Sequence, residues 1–445
     1  MALKQTIEAY ELLDSAAVNG EAVAALLRQR GLQADVTPVS GPKGGTDFIR
    51  ALIPGTAGKK AGGQAPTLGI IGRLGGVGAR PAAVGLVSDA DGAITAVACA
   101  LKLADMVNAG DWLPGDVIVA THICPDAPIV PHDPVPFMSA PVDVATMNHY
   151  EVHPEMDAIL SIDTTRGNWV INRRGFAISP TVKEGYILKI SADLLHIMSV
   201  VTGQPPVVLP ITTQDITPYG NEIDHLNSIM QPATATDAPV VGVALTAEIA
   251  VPGCASGASQ VMDIEMAVRF CLEVAKALGQ DQCAFYDAEE FSRLVALYGS
   301  MKHLQAAPTS PTRQNISSGS PFEEPIGFSR AVRMGNVIAV SGTAAIVPDG
   351  STAHPDDVYG QTKACLGIMK QAIEDAGGQL ENVVRTRIML RDISRWEEAA
   401  QAHGEFFSDI RPACTFVEVK GFVRDDWLVE TEADCVIESK EGTKL

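Results

Sequence analysis

The chain has 445 residues, 46% hydrophobic and 19% charged, with a formal net charge of −20 at pH 7, which is too long for one ordinary core and implies two domains. So acidic a surface repels phosphate backbones and anionic lipid, which argues against nucleic acid and membrane as partners. Eight scattered cysteines without a Cys-x-x-Cys pair, no signal-like start and no apolar run near ~20 residues point to a reducing, cytoplasmic setting.

Residues 19–31 show helical spacing, with Asn19 placed to cap and Gly31 to stop. TLGIIG at 67–72 reads as a buried strand. Residues 91–110 predict a long helix with Asp at its start and Gly at its end. GDVIVATHI at 115–123 and AILSID at 158–163 read as strands. Residues 185–203 predict a helix, and PVVLPIT and APVVGVALTAEIAV further strands. Residues 259–279 form a long amphipathic helix. Apolar strands alternating with helices predict a three-layer α/β domain with a mostly parallel sheet. The stretch LQAAPTSPTRQNISSGS is rich in Pro, Ser and Thr. It divides the chain into a first domain at 1–303, a linker at 304–317 and a second domain at 318–445. The second domain reads β-β-α-β-α-β-β, an α+β domain whose open sheet face suggests an oligomer.

SRAVRMGNVIAVSGT, the segment QTKACLGIMKQAIEDAGGQLENVVRTRIMLRD, GEFFSDIRPACTFVEV and LVETEADCVI resemble the Rid (YjgF-type) family along residues 318–440. The resemblance implies a chorismate mutase-like fold, a homotrimer, ligand clefts between subunits and hydrolysis of reactive imines or enamines. It also implies that Ser341 and Gly342 form a ligand-binding turn, with Thr415 in the pocket, and that Glu432 orients the attacking water. One departure stands out. The family's Arg after Pro-Ala grips a substrate carboxylate, and Cys414 holds that position here. Two readings of Cys414 follow, a reactive group or a small buried filler. Arg411 lies three residues earlier and, on a regular strand, faces the other way.

The first domain resembles a bacterial family catalogued as domain of unknown function 1177, which supplies no activity. VGLVSDADGAITAVACALKLADMV is similar to the strand-to-helix segment of co-catalytic zinc aminopeptidases and amidohydrolases, where an Asp bridges two zinc ions. That likeness puts Asp89 in the bridging place, Asp163 at a second ligand position and Asp126 near the general base. Arg73 replaces the first ligand His, and Cys254 falls near the last. A cluster rich in His between 122 and 163 adds His122 and His132 as candidate ligands with Asp89 and Asp163, for Zn, Mn or Fe. Arg73 and Arg166 are candidates for holding a substrate. GRLGGVG matches no phosphate-binding loop, so no nucleotide cofactor is expected.

Together these residues predict a catabolic enzyme that hydrolyses a C–N bond in a small nitrogenous metabolite, with a divalent metal assisting. The Rid-like domain would trimerise the chain and bind or hydrolyse an enamine or imine product. Asp126 in the first domain and Glu432 and Cys414 in the second are the candidate catalytic residues. The rival expectation is a non-catalytic metabolite-binding trimer.

Overall fold

The computed structural model describes residues 1–41, 43–73, 75–306, 313–320 and 322–437. The chain divides into two units, Met1–Pro308 and Thr309–Leu445.

The first unit opens with α1 (Leu3–Asp14) and α2 (Gly20–Gln29). The Asn19 side chain accepts from the Ala22 N–H at 2.8 Å, which is the cap the sequence predicts. A hairpin of β1 (Gln33–Gly41) and β2 (Gly44–Ile53) follows. β3 (Leu68–Gly72) leads to α3 (Asp91–Asn108), and β4 (Val117–Ile123) to a loop with the short strands β5 (Ile129–Val130) and β6 (Phe137–Met138). Asp143 caps α4 (Val144–Glu151) by accepting from the Thr146 N–H at 2.7 Å. Then come β7 (Ala158–Thr164), β8 (Gly175–Ile178), β9 (Val182–Lys183), β10 (Tyr186–Ile187) and α5 (Ala192–Thr202). β11 (Val240–Thr246), α6 (Val261–Gly279) and α7 (Ala288–Tyr298) complete the unit.

The main sheet runs β1-β2-β4-β3-β7-β11-β9-β10, with β8 also on β11. Its centre, β4-β3-β7-β11, is parallel; the flanks are antiparallel. The expectation of a mostly parallel sheet therefore holds only for the centre. One face packs Ile70, Val119, Leu160 and Val243 against a layer that includes α1, α3, α5 and α6. The other buries Ile71, Ile118, Ile159 and Val240 under a cover of α4 and largely irregular chain. Two covered faces explain strands that are apolar on both sides.

Two elements differ from expectation. Residues 185–203 begin as β10, and the helix starts only where Ser191 accepts from the Leu194 N–H. PVVLPIT makes a single bridge from Val208 to Ile178, because Pro206 and Pro210 remove ladder donors on either side.

The second unit contains β12 (Arg313–Ile316), α8 (Glu323–Ile326), β13 (Ala331–Met334), β14 (Val337–Ala344), α9 (Val358–Asp375), β15 (Val383–Leu390), α10 (Trp396–Phe407), β16 (Ala413–Glu418) and β17 (Val429–Val436). Its sheet runs β12-β13-β14-β17-β15-β16. β12 lies within the predicted linker, and pairs with β13 through residues of no apolar alternation. Residues 307–312 of that linker lie outside the described residues. Ile338, Ile388 and Ala433 face the helices.

Candidate functional site

Three neighbouring parallel strands bring polar side chains to their carboxyl ends, where open α/β sheets place ligands. Arg73 follows β3, His122 lies in β4 and Asp163 in β7, and each is at most 1% exposed. Arg73 Nη1 donates to Glu151 Oε2 at 2.5 Å and to Asn148 Oδ1 at 3.2 Å. Glu151 Oε1 lies 2.6 Å from His122 Nδ1, and the Gly75 N–H donates to His122 Nε2 at 3.1 Å. With Nε2 accepting, the ring proton sits on Nδ1 and is given to Glu151. Burial alone would raise the Glu151 pKa, but Arg73 and His122 outweigh it and hold the carboxyl below its usual range.

Asp163 accepts from Ser228 Oγ at 2.8 Å and from the Thr164 N–H at 2.7 Å. Burial raises its pKa to about 6 against those hydrogen bonds and the nearby Arg73 charge. Asp89 stands in the turn before α3 and accepts no hydrogen bond on its carboxylate among the described residues. Burial first, then repulsion from Asp163 and Asp91, push it well above the usual carboxylate range, with Arg166 opposing. Asp89 and Asp163 thus form a pair of acids whose ionised forms disfavour one another.

Two cavities adjoin the cluster and share Phe137 and Tyr219. The larger, about 1170 Å³, is lined by Asn148, Ser228, Gln231 and Tyr219. The smaller, about 220 Å³, is lined by Asp89, Asn227 and His132. Ser228 links Asp163 to the first, and Asp89 borders the second directly. This arrangement offers a carboxyl whose burial favours the protonated form, a second acid with a pKa of about 6 and a cavity with polar lining groups, which are the parts general acid–base chemistry needs.

The sequence-read site is only partly gathered here. Asp89, His122 and Asp163 lie in one region with Arg73, but His132 is exposed against Phe137. Both His122 nitrogens are engaged by Gly75 and Glu151. Among the described residues, no group of three or more His, Cys, Asp or Glu is placed to hold a metal ion. The donor set therefore does not fit the divalent metal that the layout suggests. Asp126 is exposed and outside both cavities. Arg166 is not free for a substrate: its Nη2 pairs with Asp91 Oδ2 at 2.5 Å, and its Nη1 donates to Ser88 Oγ. Gly253 and Ala255 run beside Asp89 and Ser88, so Cys254 does lie next to the Asp89 turn. Sequence reasoning missed Glu151, Asn148, Ser228 and Tyr219. For Glu151 the signal was its place between His149 and His153 in a segment read for His and Asp but not for Glu.

In the second unit, Arg330 is 6% exposed, and its Nη1 donates to Gly342 O at 2.5 Å and to Thr343 Oγ1 at 3.1 Å. It thereby holds the Ser341–Gly342 turn in shape. The carboxylate beside that turn belongs to Glu430, whose pKa is raised first by burial. Glu432 is instead paired at 2.6 Å to Nη1 of Arg387, which stands between Glu432 and Thr415 in the register. Cys414 is exposed on the last strand of the sheet and sits opposite Thr386, so it is no buried filler within one chain. Arg411 precedes that strand at φ 54° and donates to Ser408 O, so strand alternation does not apply to it.

A family model described as "Protein of unknown function (DUF1177)" matches residues 37–308, more than half of the chain. The chain belongs to this family. Within the DUF1177 unit the Asp89-Ala90-Asp91-Gly92 turn has a steric reason for its glycine. A Cβ on Gly92 would lie 2.8 Å from the carbonyl oxygens of both Arg73 and Ile162. Gly92→Ala is expected to push α3 off the strand ends and cost about 1–3 kcal/mol, read as a lower unfolding midpoint in urea.

A second model, described as "Endoribonuclease L-PSP", matches residues 322–437, so a Rid/YjgF domain follows the DUF1177 domain. An uncharacterized protein of Streptomyces coelicolor is 37% identical over 126 residues, 28% of this chain and 93% of that protein. The 3-aminoacrylate deaminase RutC of Acinetobacter baylyi is 33% identical over 100 residues, 22% of this chain and 79% of its own. Among solved structures, a YjgF/YER057c/UK114 family member from Mycobacterium tuberculosis is 41% identical, covering 28% of this chain and all of that one at a TM-score of 0.26. Among the described residues, no helix is long and apolar enough to cross a membrane.

Proposed function

We propose that the DUF1177 domain hydrolyses a C–N bond in a small nitrogenous molecule by general acid–base catalysis. Asp89 is the acid that protonates the departing nitrogen. Asp163, through Ser228, is the base that draws a proton from the attacking water. The observation that carries this reading is Asp89: a buried carboxyl held well above its ordinary range, bordering a cavity, beside a second buried acid, Asp163. On this reading the domain keeps an aminopeptidase-like layout, with Arg73 standing where that layout has its first ligand His.

The Rid domain then receives an enamine or imine product, as the likeness to a 3-aminoacrylate deaminase supports. Glu430 is its water-orienting group in this proposal. A binding role without turnover is the second reading, favoured by the Arg387–Glu432 ion pair and by Cys414 in place of an arginine. Exposed Val337, Val417 and Val436 lie on the open sheet face with Met389, a surface on which three copies would associate. Light scattering on the purified chain tests the trimer.

The test of the function is ammonia release from a panel of small amides, lactams and cyclic ureas. The full chain should release ammonia from at least one, and Asp89→Asn should not. Glu430→Gln should leave that step intact and let an enamine or imine accumulate, whereas Glu432→Gln should do so less. Ammonia release unchanged in Asp89→Asn would sink the assignment. Elemental analysis of the active preparation reports independently on metal.

A further inference from the structure

A buried guanidinium ordinarily has its donors matched, because each unmade hydrogen bond is costly. Arg73 is fully buried, and only its Nη1 end has partners. Its Nε and Nη2 atoms are buried and have no hydrogen-bond partner among the described residues. These two atoms form the side edge of the guanidinium, two parallel N–H groups spaced to meet the two oxygens of one carboxylate.

The Nη1 end links the Arg73 side chain to the wall of the larger cavity. Asn148 both accepts from Arg73 and lines the cavity of about 1170 Å³. Ser228 lines the same cavity and donates to Asp163. Arg73 itself lines neither cavity and lies one side chain behind the wall of the larger one, with Asn148 between them. Glu151 and Asp163 stand near it, and two carboxylates disfavour a doubly charged phosphate far more than a single carboxylate.

We propose that the Nε–Nη2 edge of Arg73 is a substrate-binding group that holds a carboxylate, so that the molecule cleaved by the DUF1177 domain is a carboxylate-bearing amide or related C–N compound. The inference rests on the function proposed above. The ligand enters from the larger cavity past Asn148 and Ser228. Its carboxylate docks on Arg73, which directs its C–N bond towards Asp163 and Asp89. Arg73 then occupies the place of a metal ligand in the layout while serving as the cationic anchor.

Isothermal titration calorimetry on the full chain tests this with two probes. Oxamate carries a carboxylate and an amide; oxamide carries amides alone. Oxamate should bind, and oxamide should bind roughly tenfold more weakly or not at all. Arg73→Lys keeps the charge and the Glu151 pairing but loses the planar edge, and should weaken oxamate roughly tenfold or more. The double variant Arg73→Met with Glu151→Gln removes both buried charges together, so it leaves no naked ion, and should abolish binding. Equal binding of oxamate and oxamide, no oxamate binding by the native chain, or full binding by the double variant would each overturn the inference. If oxamate fails while ammonia release still depends on Asp89, only this inference falls. If oxamate binding depends on Arg73 but no ammonia is released from any compound, the anchor stands and the hydrolase reading falls.

Discussion

Glu151→Ala is expected to cost the DUF1177 domain about 3–5 kcal/mol, the penalty for leaving a buried charge without its partner. Arg73 is 0% exposed, and Glu151 is the carboxylate that meets it, at 2.5 Å. Truncation also strips His122 Nδ1 of its acceptor and leaves Arg73 Nη1 only its longer bond to Asn148. Calorimetric unfolding of the full chain reads the effect as a large downward shift of the transition that belongs to Met1–Pro308. The double variant Arg73→Met with Glu151→Gln should recover most of the loss, because it removes the cation that the single change strands. A loss under about 1 kcal/mol would mean the pair is no more than a surface-type ion pair. The pH dependence has a definite sign. Glu151 has a lowered pKa in the folded chain, so its stabilisation is present above the ordinary carboxylate value and is lost as pH falls through the folded one.

Much of the architecture was legible because it rests on local chemistry. The apolar runs of β3, β4 and β7 needed no tertiary information, nor did the periodicity of α3 and α6 or the Asn19 cap. The β1–β2 hairpin was not legible: Pro38 lies inside β1, which is tolerated only because β1 is the edge of the sheet. The antiparallel flank on the other side escaped for a different reason, since β8, β9 and β10 are short and carry little pattern. The site was half legible. Strand ends located Arg73, His122 and Asp163, and the Asp-x-x-Gly turn located Asp89. What those groups do depends on partners far along the chain. Whether His122 can bind a metal is decided by Gly75 and Glu151, 47 and 29 residues away. Ser228 and Tyr219 come from an irregular segment with no period to read. In the Rid domain, two glutamates two residues apart share one face of β17. Only the tertiary neighbours, Gly342 for Glu430 and Arg387 for Glu432, tell them apart.

Asp89→Asn is expected to lower hydrolysis by about 10²–10⁴-fold, the usual contribution of a positioned acid, and at the same time to stabilise the fold. Both effects have one cause. The folded chain disfavours the Asp89 carboxylate because burial removes water from it and because Asp163 and Asp91 stand close. Its folded pKa is raised, so the folded state binds the proton more tightly than the unfolded chain. Stability therefore falls as pH rises from the ordinary carboxylate value through the folded one, and stays depressed above it. Asparagine never ionises and escapes that penalty. The variant should gain about 0.5–2 kcal/mol at pH 8, as when a functional site is relieved of strain, and less at pH 5, where a larger share of Asp89 carries its proton. Asp163, with a folded pKa of about 6, contributes a slope of the same sign between pH 4 and 6 that should persist in the variant. Unfolding free energies measured at both pH values, beside initial rates, separate the possibilities. Lost activity with a pH-dependent gain in stability is the signature of an acid held against its own ionisation. Lost activity with lost stability at both pH values would instead make Asp89 a structural group of the turn before α3.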